Sequence, residues 1–374
     1  MAGMSLPAAP TIVKGALSLW PDYKRRRITK GLTEAYERCR EDERFVDPAR
    51  DPVAIFSDHH KGERDQADDF WRCEAAYNAA LGYYLEAGFA LIVLGDVEEL
   101  WEATPSSVLR QYADTLRLEG EFLAADRYDR VWGNHDLDWS DEEAVSTVLL
   151  NALGQRRTGF QVREALCLGV SLDAQRLGQL FVVHGHQGTL ESDVLARVSK
   201  PLVRYGWAPL QRLLRRPWNT PARDHVLRAA HDRAMYEWAE TRPERPVLIA
   251  GHTHRPIFWA RERAAPDLEA LAAELSALRE RGAPREEVAA QRARLEAARA
   301  RGATTPDLAP VEMRVPCYFN TGCSSFGDGS VTGIELVGDS IRLVRWPWPY
   351  GEQYPERQVV DAAPLSDVFA AVGR

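Results

Sequence analysis

Short apolar runs alternate with amphipathic stretches through the first 150 residues of the chain. Val53-Ala54-Ile55-Phe56, Phe89 to Leu94 and Tyr128 to Trp132 are brief and rich in β-branched or aromatic side chains, as buried strands are. Between the first two, apolar residues recur at helical spacing from Gln66 to Ala87, through Phe70, Cys73, Tyr77, Leu81 and Tyr84. Pro105 and Ser106 open a helix predicted to reach Ala125. Ser140-Asp141-Glu142-Glu143 caps another that runs to Leu150. This β–α–β–α order predicts an α/β fold with a largely parallel sheet. From Phe160 to Val183 short strands follow one another without helices, as in a second sheet. Helices are expected at 190–216 and 221–241. Strands are expected at Val247-Leu248-Ile249, beside it at Pro256 to Ala260, and at 313–319, 331–337 and 341–346.

These elements divide the chain into an N-terminal arm at 1–50, helical from Lys30 to Glu43, a main domain at 51–346, and a C-terminal tail at 347–374. Two insertions interrupt the domain. Residues 190–241 form a basic helical cap: between Val194 and Ala222 there is no acid, but there are Arg197, Lys200, Arg204, Arg212, Arg215 and Arg216. Residues 262–305 read as a charged helical hairpin, with Leu268, Leu271, Leu275 and Leu278 at helical spacing before a turn at Arg281-Gly282-Ala283-Pro284.

Composition narrows the class. At 374 residues the chain can bury a full core, and 45% hydrophobic with 27% charged residues is the balance of a soluble globular protein. No apolar run approaches the ~20 residues of a membrane span, and no secretory signal is visible. Five scattered cysteines, Cys39, Cys73, Cys167, Cys317 and Cys323, suit a reducing cytoplasm better than a disulfide framework, and none lies in a zinc-type CxxC pattern. A net charge of −8 disfavours a dedicated nucleic-acid-binding role.

The chemistry lies in five short clusters, each following an apolar run: Ser57-Asp58-His59-His60, Gly95-Asp96, Gly133-Asn134-His135-Asp136, His184-Gly185-His186 and Gly251-His252-Thr253-His254. Asp58, His60, Asp96, Asn134, His184, His252 and His254 offer carboxylate, amide and imidazole donors. That mixture suits Mn²⁺, Fe²⁺, Co²⁺ or Zn²⁺ and is too rich in nitrogen for a Mg²⁺ or Ca²⁺ oxygen cage. Seven donors exceed one tetrahedral site and suit two divalent ions sharing a carboxylate. Two ions ~3.5–4 Å apart can clamp a phosphoryl group and supply hydroxide for in-line attack. His135, beside a candidate ligand, is placed to protonate the leaving oxygen. Asp136 fits the task of orienting His135 or its turn, and Glu98 or Glu99 lies near enough in sequence to approach the site.

The ordered set Asp-Xaa-His, Gly-Asp, Gly-Asn-His-Asp, His and Gly-His-Xaa-His resembles the calcineurin-like metallophosphoesterase superfamily over about residues 52–346, the hairpin excepted. The resemblance implies a four-layer α/β/β/α sandwich of two mixed sheets, with the site at strand ends between them. It implies that Asp58, His60 and His254 hold one metal, that Asn134, His184 and His252 hold the other, and that Asp96 bridges both, with Mn²⁺ the first choice of ion. His59 is the variable residue of its motif.

For the substrate, Gly95-Asp96-Val97-Glu98-Glu99 lacks the second aspartate and the arginine of the Ser/Thr protein phosphatase motif. The basic stretch after His184 resembles in position the cap of UDP-2,3-diacylglucosamine diphosphatases, although that type has Arg where this chain has His135. His186, Arg197, Arg204 and Asn320 are the candidate substrate contacts; the alternative for His186 is a hydrogen bond behind the metal ligands, and for the turn Asn320-Thr321-Gly322-Cys323 an architectural role. The expected partner is a small or lipid-linked phosphate, such as a UDP-sugar lipid, with peripheral membrane contact through the basic stretch. A nuclease of the same superfamily and a metal-free scaffold binding through the hairpin are the alternatives. The overall acidity counts against the first and the full donor set against the second.

Overall fold

The structure is a computed structural model. It describes residues 11–65, 68–188, 225–259, 278, 288, 313–347 and 355–373, with side chains of the first helix described from Tyr23 and those of the helix at 225–241 from Arg228. Most of the basic stretch, with Arg197 and Arg204, and nearly all of the hairpin at 262–305 therefore lie outside the described residues. The chain forms two compact units, Met1–Phe258 with Met313–Arg374, and Trp259–Glu312. In the second unit Leu278 and Val288 are helical.

The first unit is built on two six-stranded mixed sheets. One contains β1 (Arg44–Val46), β5 (Ala165–Leu172), β6 (Gln175–Val183), β7 (Val247–Ala250), β9 (Tyr318–Thr321) and β8 (Pro256–Ile257), in that spatial order. The other runs β12 (Gln358–Ala363), β11 (Ile341–Trp346), β10 (Val331–Leu336), β2 (Val53–Phe56), β3 (Ala90–Leu94) and β4 (Tyr128–Val131). Helices α2 (Glu74–Glu86) and α4 (Ala113–Ala124) cover the second sheet, whereas α1 (Thr11–Cys39), α5 (His225–Thr241) and α6 (Leu365–Val372) cover the first. The result is the expected four-layer α/β/β/α sandwich. The strands β2, β3 and β4 are mutually parallel, as are β6, β7 and β9. Their carboxyl ends all open toward one place, where ligands of α/β sheets bind.

Several elements depart from the sequence reading. The segment expected as an arm is part of the domain. In α1, Ile28, Leu32, Ala35 and Tyr36 are buried at helical spacing. The Tyr36 ring meets Phe181 at 5.2 Å and Trp238 at 5.7 Å, and its hydroxyl donates to Gln179 Oε1 at 2.6 Å. β1 then pairs in parallel with β5. The expected C-terminal tail likewise adds β12 to the edge of β11, and α6 buries Leu365, Val368, Phe369 and Val372, one face of a helix.

The helix predicted from Pro105 to Ala125 breaks at Tyr112, whose backbone leaves helical geometry (φ −114°, ψ 29°) while its ring packs 5.1 Å from Phe70, giving α3 (Pro105–Gln111) and α4. The segment predicted as one helix from Ser140 to Leu150 is capped by Asp141, which accepts from Glu143 N at 3.1 Å, and passes through a π-helical turn at Val145–Leu149. Cys39 and Cys167 are joined in a disulfide, with Cα atoms 5.6 Å apart. This departs from the reading of scattered thiols: a sequence separation of 128 hides a pair that the packing of α1 on β5 creates. Cys73, Cys317 and Cys323 are free and buried. Among the described residues no helix is long and apolar enough to cross a membrane.

Candidate metal centre

Each cluster occupies the turn that leaves a parallel strand, and the turns are tightly wound. Asp58, His60, Asp96, His252 and His254 all have φ between 50° and 67°, a left-handed conformation uncommon outside glycine and concentrated at functional sites. The motif glycines make this packing feasible. A Cβ on Gly133 would run into the Asp96 carboxylate, and one on Gly251 into Asp58 Oδ2 and Ser57 Oγ. Asp136 ties two of the turns together from below. Its carboxylate accepts from Gly133 N at 2.6 Å, Val97 N at 3.0 Å and Asp96 N at 3.2 Å. It thus organises backbone, as its position in the motif suggested.

The side chains converge in three overlapping groups: Asp58, His60 and His254; His60, Asp96 and His135; and Asp96, His184 and His252. Within each group the donor atoms lie within 4.8 Å of one another. His254 Nε2 is 3.2 Å from Asp58 Oδ1 and 3.1 Å from His60 Nε2. Asp96 belongs to both remaining groups. Its Oδ2 lies 3.0 Å from His184 Nε2 and 3.9 Å from His60 Nε2, while Oδ1 accepts from His135 N at 2.8 Å. Asn134 lies in the same turn, between Gly133 and His135.

These residues fit a cation. The backbone carbonyl of Leu94 lies 3.0 Å from His184 Nδ1, and Glu99 Oε2 lies 3.2 Å from His60 Nδ1. An acceptor at Nδ1 of each ring turns Nε2 into the site, where His184 Nε2 meets Asp96 and His60 Nε2 meets His254, with Asp96 farther off. Asn134 Oδ1 and His252 Nε2 are buried with no hydrogen-bond partner. Such orphaned groups are costly unless an ion or water satisfies them. The electrostatics agree. Burial opposes the charged form of His184, but the Asp96 and Asp58 carboxylates outweigh it and raise the ring to about 9. Burial likewise pushes Asp96 up, yet His184 and His135 hold it well below the usual carboxylate range. The buried acids thus favour positive charge at His184, while burial keeps His252 and His254 below the usual imidazole range.

Glu99 was one of two acids that the sequence left undecided, and the structure separates them. Glu98 is fully buried, bonded to Arg130 and accepting from Trp139 Nε1 at 2.8 Å. Glu99 stands in the site, with Oε2 2.6 Å from His135 Nδ1. Burial alone would raise its pKa, but His135 and His60 bring it down to about 2. The His135 ring is stacked on Trp101 with centroids 3.9 Å apart, and Trp101 Nε1 donates to the Asn134 carbonyl at 2.7 Å. The role of Trp101 carried no signal in the sequence, because it shares no motif with the histidine it supports.

Other candidates fall differently. His59 turns away, buried edge-on against Tyr77 at 4.4 Å. His186 lies beside Trp132 and His184 but is only 3% exposed, and burial lowers it to about 3, so it is a neutral, enclosed ring. Asn320, read as an architectural residue or a substrate contact, is fully buried, with Nδ2 donating to the Gly251 carbonyl at 2.7 Å, so its amide supports the histidine turn from behind. Two residues of α5, His231 and Asp232, also reach the site's turns. A lone histidine and acid on a helix gave no motif by which to find them.

A calcineurin-like phosphoesterase family model matches residues 51–256, more than half of the chain. The chain belongs to that family. It is a phosphoesterase hydrolase that depends on divalent metal ions, with candidate sites formed by the His and Asp groups above. No curated protein matches it. Among solved structures it is similar to a conserved uncharacterized protein of Streptococcus pneumoniae TIGR4 described as a predicted phosphoesterase (11% identity, 83% of this chain and 97% of that one, TM-score 0.29). It is also similar to Vacuolar Protein Sorting 29 from Cryptosporidium parvum (10%, 84% and 98%, TM-score 0.35) and to a dimetal phosphatase from Danio rerio (10%, 83% and 99%, TM-score 0.35).

Proposed function

We propose that the protein hydrolyses a phosphate ester or pyrophosphate bond of a small or lipid-linked substrate with two divalent ions, Mn²⁺ the first choice. In this reading Asp58, His60 and His254 hold one ion, Asn134, His184 and His252 hold the other, and Asp96 serves both. The observation that carries it is the position of Asp96 between two separate imidazole groups. Such ions, when bound, lower the pKa of water and neutralise phosphoryl charge.

The chain's own contribution is the handling of the proton. Glu99 Oε2 lies 2.6 Å from His135 Nδ1, close enough to keep a proton on that nitrogen, and Trp101 is stacked on the ring. The opposite nitrogen, Nε2, is then the one that gives a proton to the leaving oxygen. Glu99 also anchors His60, so one carboxylate aligns a candidate ligand and the acid together.

The substrate class rests on sequence. The absence of the protein phosphatase arginine, and a basic stretch with apolar and Trp positions directly after His184, favour an anionic small or lipid-linked molecule such as a UDP-sugar lipid, met in the cytoplasm or at a membrane surface. The test is to reconstitute the protein with Mn²⁺ and identify by mass spectrometry the products from nucleotides, sugar nucleotides, lipid phosphates and single-stranded DNA. Cleavage within the first three classes supports the proposal. Preferential cleavage of DNA replaces it with the nuclease reading. No cleavage of monoester, diester or pyrophosphate by protein carrying two ions refutes it. His135→Ala is expected to lower kcat by about 10²–10⁴ while both ions stay bound.

A further inference from the structure

Helix α5 approaches the back of the candidate metal centre with two consecutive polar residues. His231 is 6% exposed, and Asp232 is fully buried. His231 Nε2 lies 2.7 Å from the carbonyl of Gly185, the residue between His184 and His186, and its ring lies 5.1 Å from that of His252. Asp232 Oδ1 accepts from Thr253 Oγ1 at 2.8 Å, and Thr253 lies between His252 and His254. The same oxygen accepts from Tyr318 OH at 2.8 Å. Thr253 Oγ1 is also 3.2 Å from Asn320 Nδ2, so its hydroxyl proton is committed to Asp232.

Neighbouring residues of a helix point about 100° apart, so the pair reaches two different turns from one rigid element. The turns belong to β6 and β7, adjacent parallel strands, and a backbone bond from Gly251 N to His184 O at 3.0 Å already links them. What that link leaves unspecified is the orientation of the turns' tips. The His184 turn is gripped at Gly185, beyond the strand, and the His252–His254 turn at its middle residue. Three of the candidate ligands lie within one residue of a group that α5 holds. Both turns carry left-handed or glycine conformations, with Gly185 at φ 110°, His252 at 67° and His254 at 57°. Backbone of that kind persists only where its surroundings over-determine it.

We infer that His231 and Asp232 are positioning residues, a two-pronged clamp through which α5 sets the distance and angle of His184, His252 and His254 for the metal pair. The inference rests on the reading of those histidines as ligands. Neither prong touches the reacting atoms. His231 works through the Gly185 carbonyl, and Asp232 through the Thr253 hydroxyl. Hydrogen-bond partners of this kind behind metal ligands are worth roughly 10–100-fold in metal affinity or activity.

The experiment is calorimetric titration of the chelator-stripped full-length protein with Mn²⁺, with thermal unfolding of each metal-free variant alongside. His231→Leu and Asp232→Leu remove the prongs. His231→Gln and Asp232→Asn keep a donor and an acceptor of similar reach. The expected result is Mn²⁺ affinity about 10–100-fold weaker in each leucine variant and restored to within a few-fold by the conservative partner. Thr253→Val removes the hydroxyl that Asp232 grips without changing volume, and is expected to weaken binding as Asp232→Leu does. It carries the test if Asp232→Leu does not fold. Unchanged affinity in His231→Leu or Thr253→Val overturns the clamp. So does a loss that tracks the metal-free unfolding temperature and is not restored by the conservative variants. If the unsubstituted protein itself binds no Mn²⁺, the ligand reading fails and the clamp with it. If the unsubstituted protein binds and the variants bind equally well, only the clamp fails.

Discussion

Replacing Asp136 tests how the site's turns are held. Its carboxylate receives three buried backbone N–H groups, from Gly133, Val97 and Asp96, and lies 3.5 Å from Arg130. Asp136→Ala strands all three donors at once. A buried donor left unsatisfied costs about 1–3 kcal/mol. The Asp96 bond is the longest of the three, and a relaxed turn could admit water, so the lower part of the sum, about 3–5 kcal/mol, is the expected loss. Asp136→Asn keeps an oxygen for Gly133 and Asp96 but turns an amide toward Val97 N and Arg130, losing about one charge-assisted bond, roughly 1.5–3 kcal/mol. Guanidinium unfolding of the metal-free proteins measures both values. An Asp136→Ala protein within about 0.5 kcal/mol of the parent, which is the scale of an ordinary surface substitution, would refute the backbone-organising role. So would an Asn variant costing as much as the Ala variant.

Three further outcomes follow from the same geometry. Glu99→Gln removes the charge that holds His135 and His60, and should lower kcat about 10–100-fold with KM little changed, read by steady-state kinetics; an unchanged kcat would dismiss Glu99. Leu32→Ala empties a fully buried position where α1 meets the sheet, and should cost about 2–5 kcal/mol of stability in denaturant unfolding; a loss below about 1 kcal/mol would mean that α1 is not integral to the domain. Arg130→Met leaves Glu98 buried beside Asp136 without its cation, and should cost about 3–5 kcal/mol; a neutral result would show that water reaches the cluster.

The positions of most strands and the ligand candidates were legible because both are local signals. A buried strand announces itself as a short β-branched run, and Gly-Asp or Gly-Asn-His records the backbone freedom and donor chemistry that its own turn requires. The periodicity of Ile28, Leu32, Ala35 and Tyr36 was equally local, but nothing in it says whether the partner of that face is solvent, another chain or this domain. The tail posed the same problem: the apolar face of α6 is visible, but its partner β6 is remote in sequence.

The sequence alone determined the kind of chemistry, since clustered Asp and His donors in this order are those of a metal-dependent phosphoesterase. It also determined that they leave strand ends, because the apolar runs before them are unambiguous. Tertiary structure decided which neighbours serve the site. It divided Glu98 from Glu99 in the loop beyond β3, setting one into the Arg130 cluster and one toward His135. It enclosed His186 and turned Asn320 inward. It joined Cys39 to Cys167 and brought His231 and Asp232 behind the histidine turns. None of these pairings has a period or a spacing. Each arises where separately folded elements pack, and the contact energy that selects it exists only once both surfaces are present.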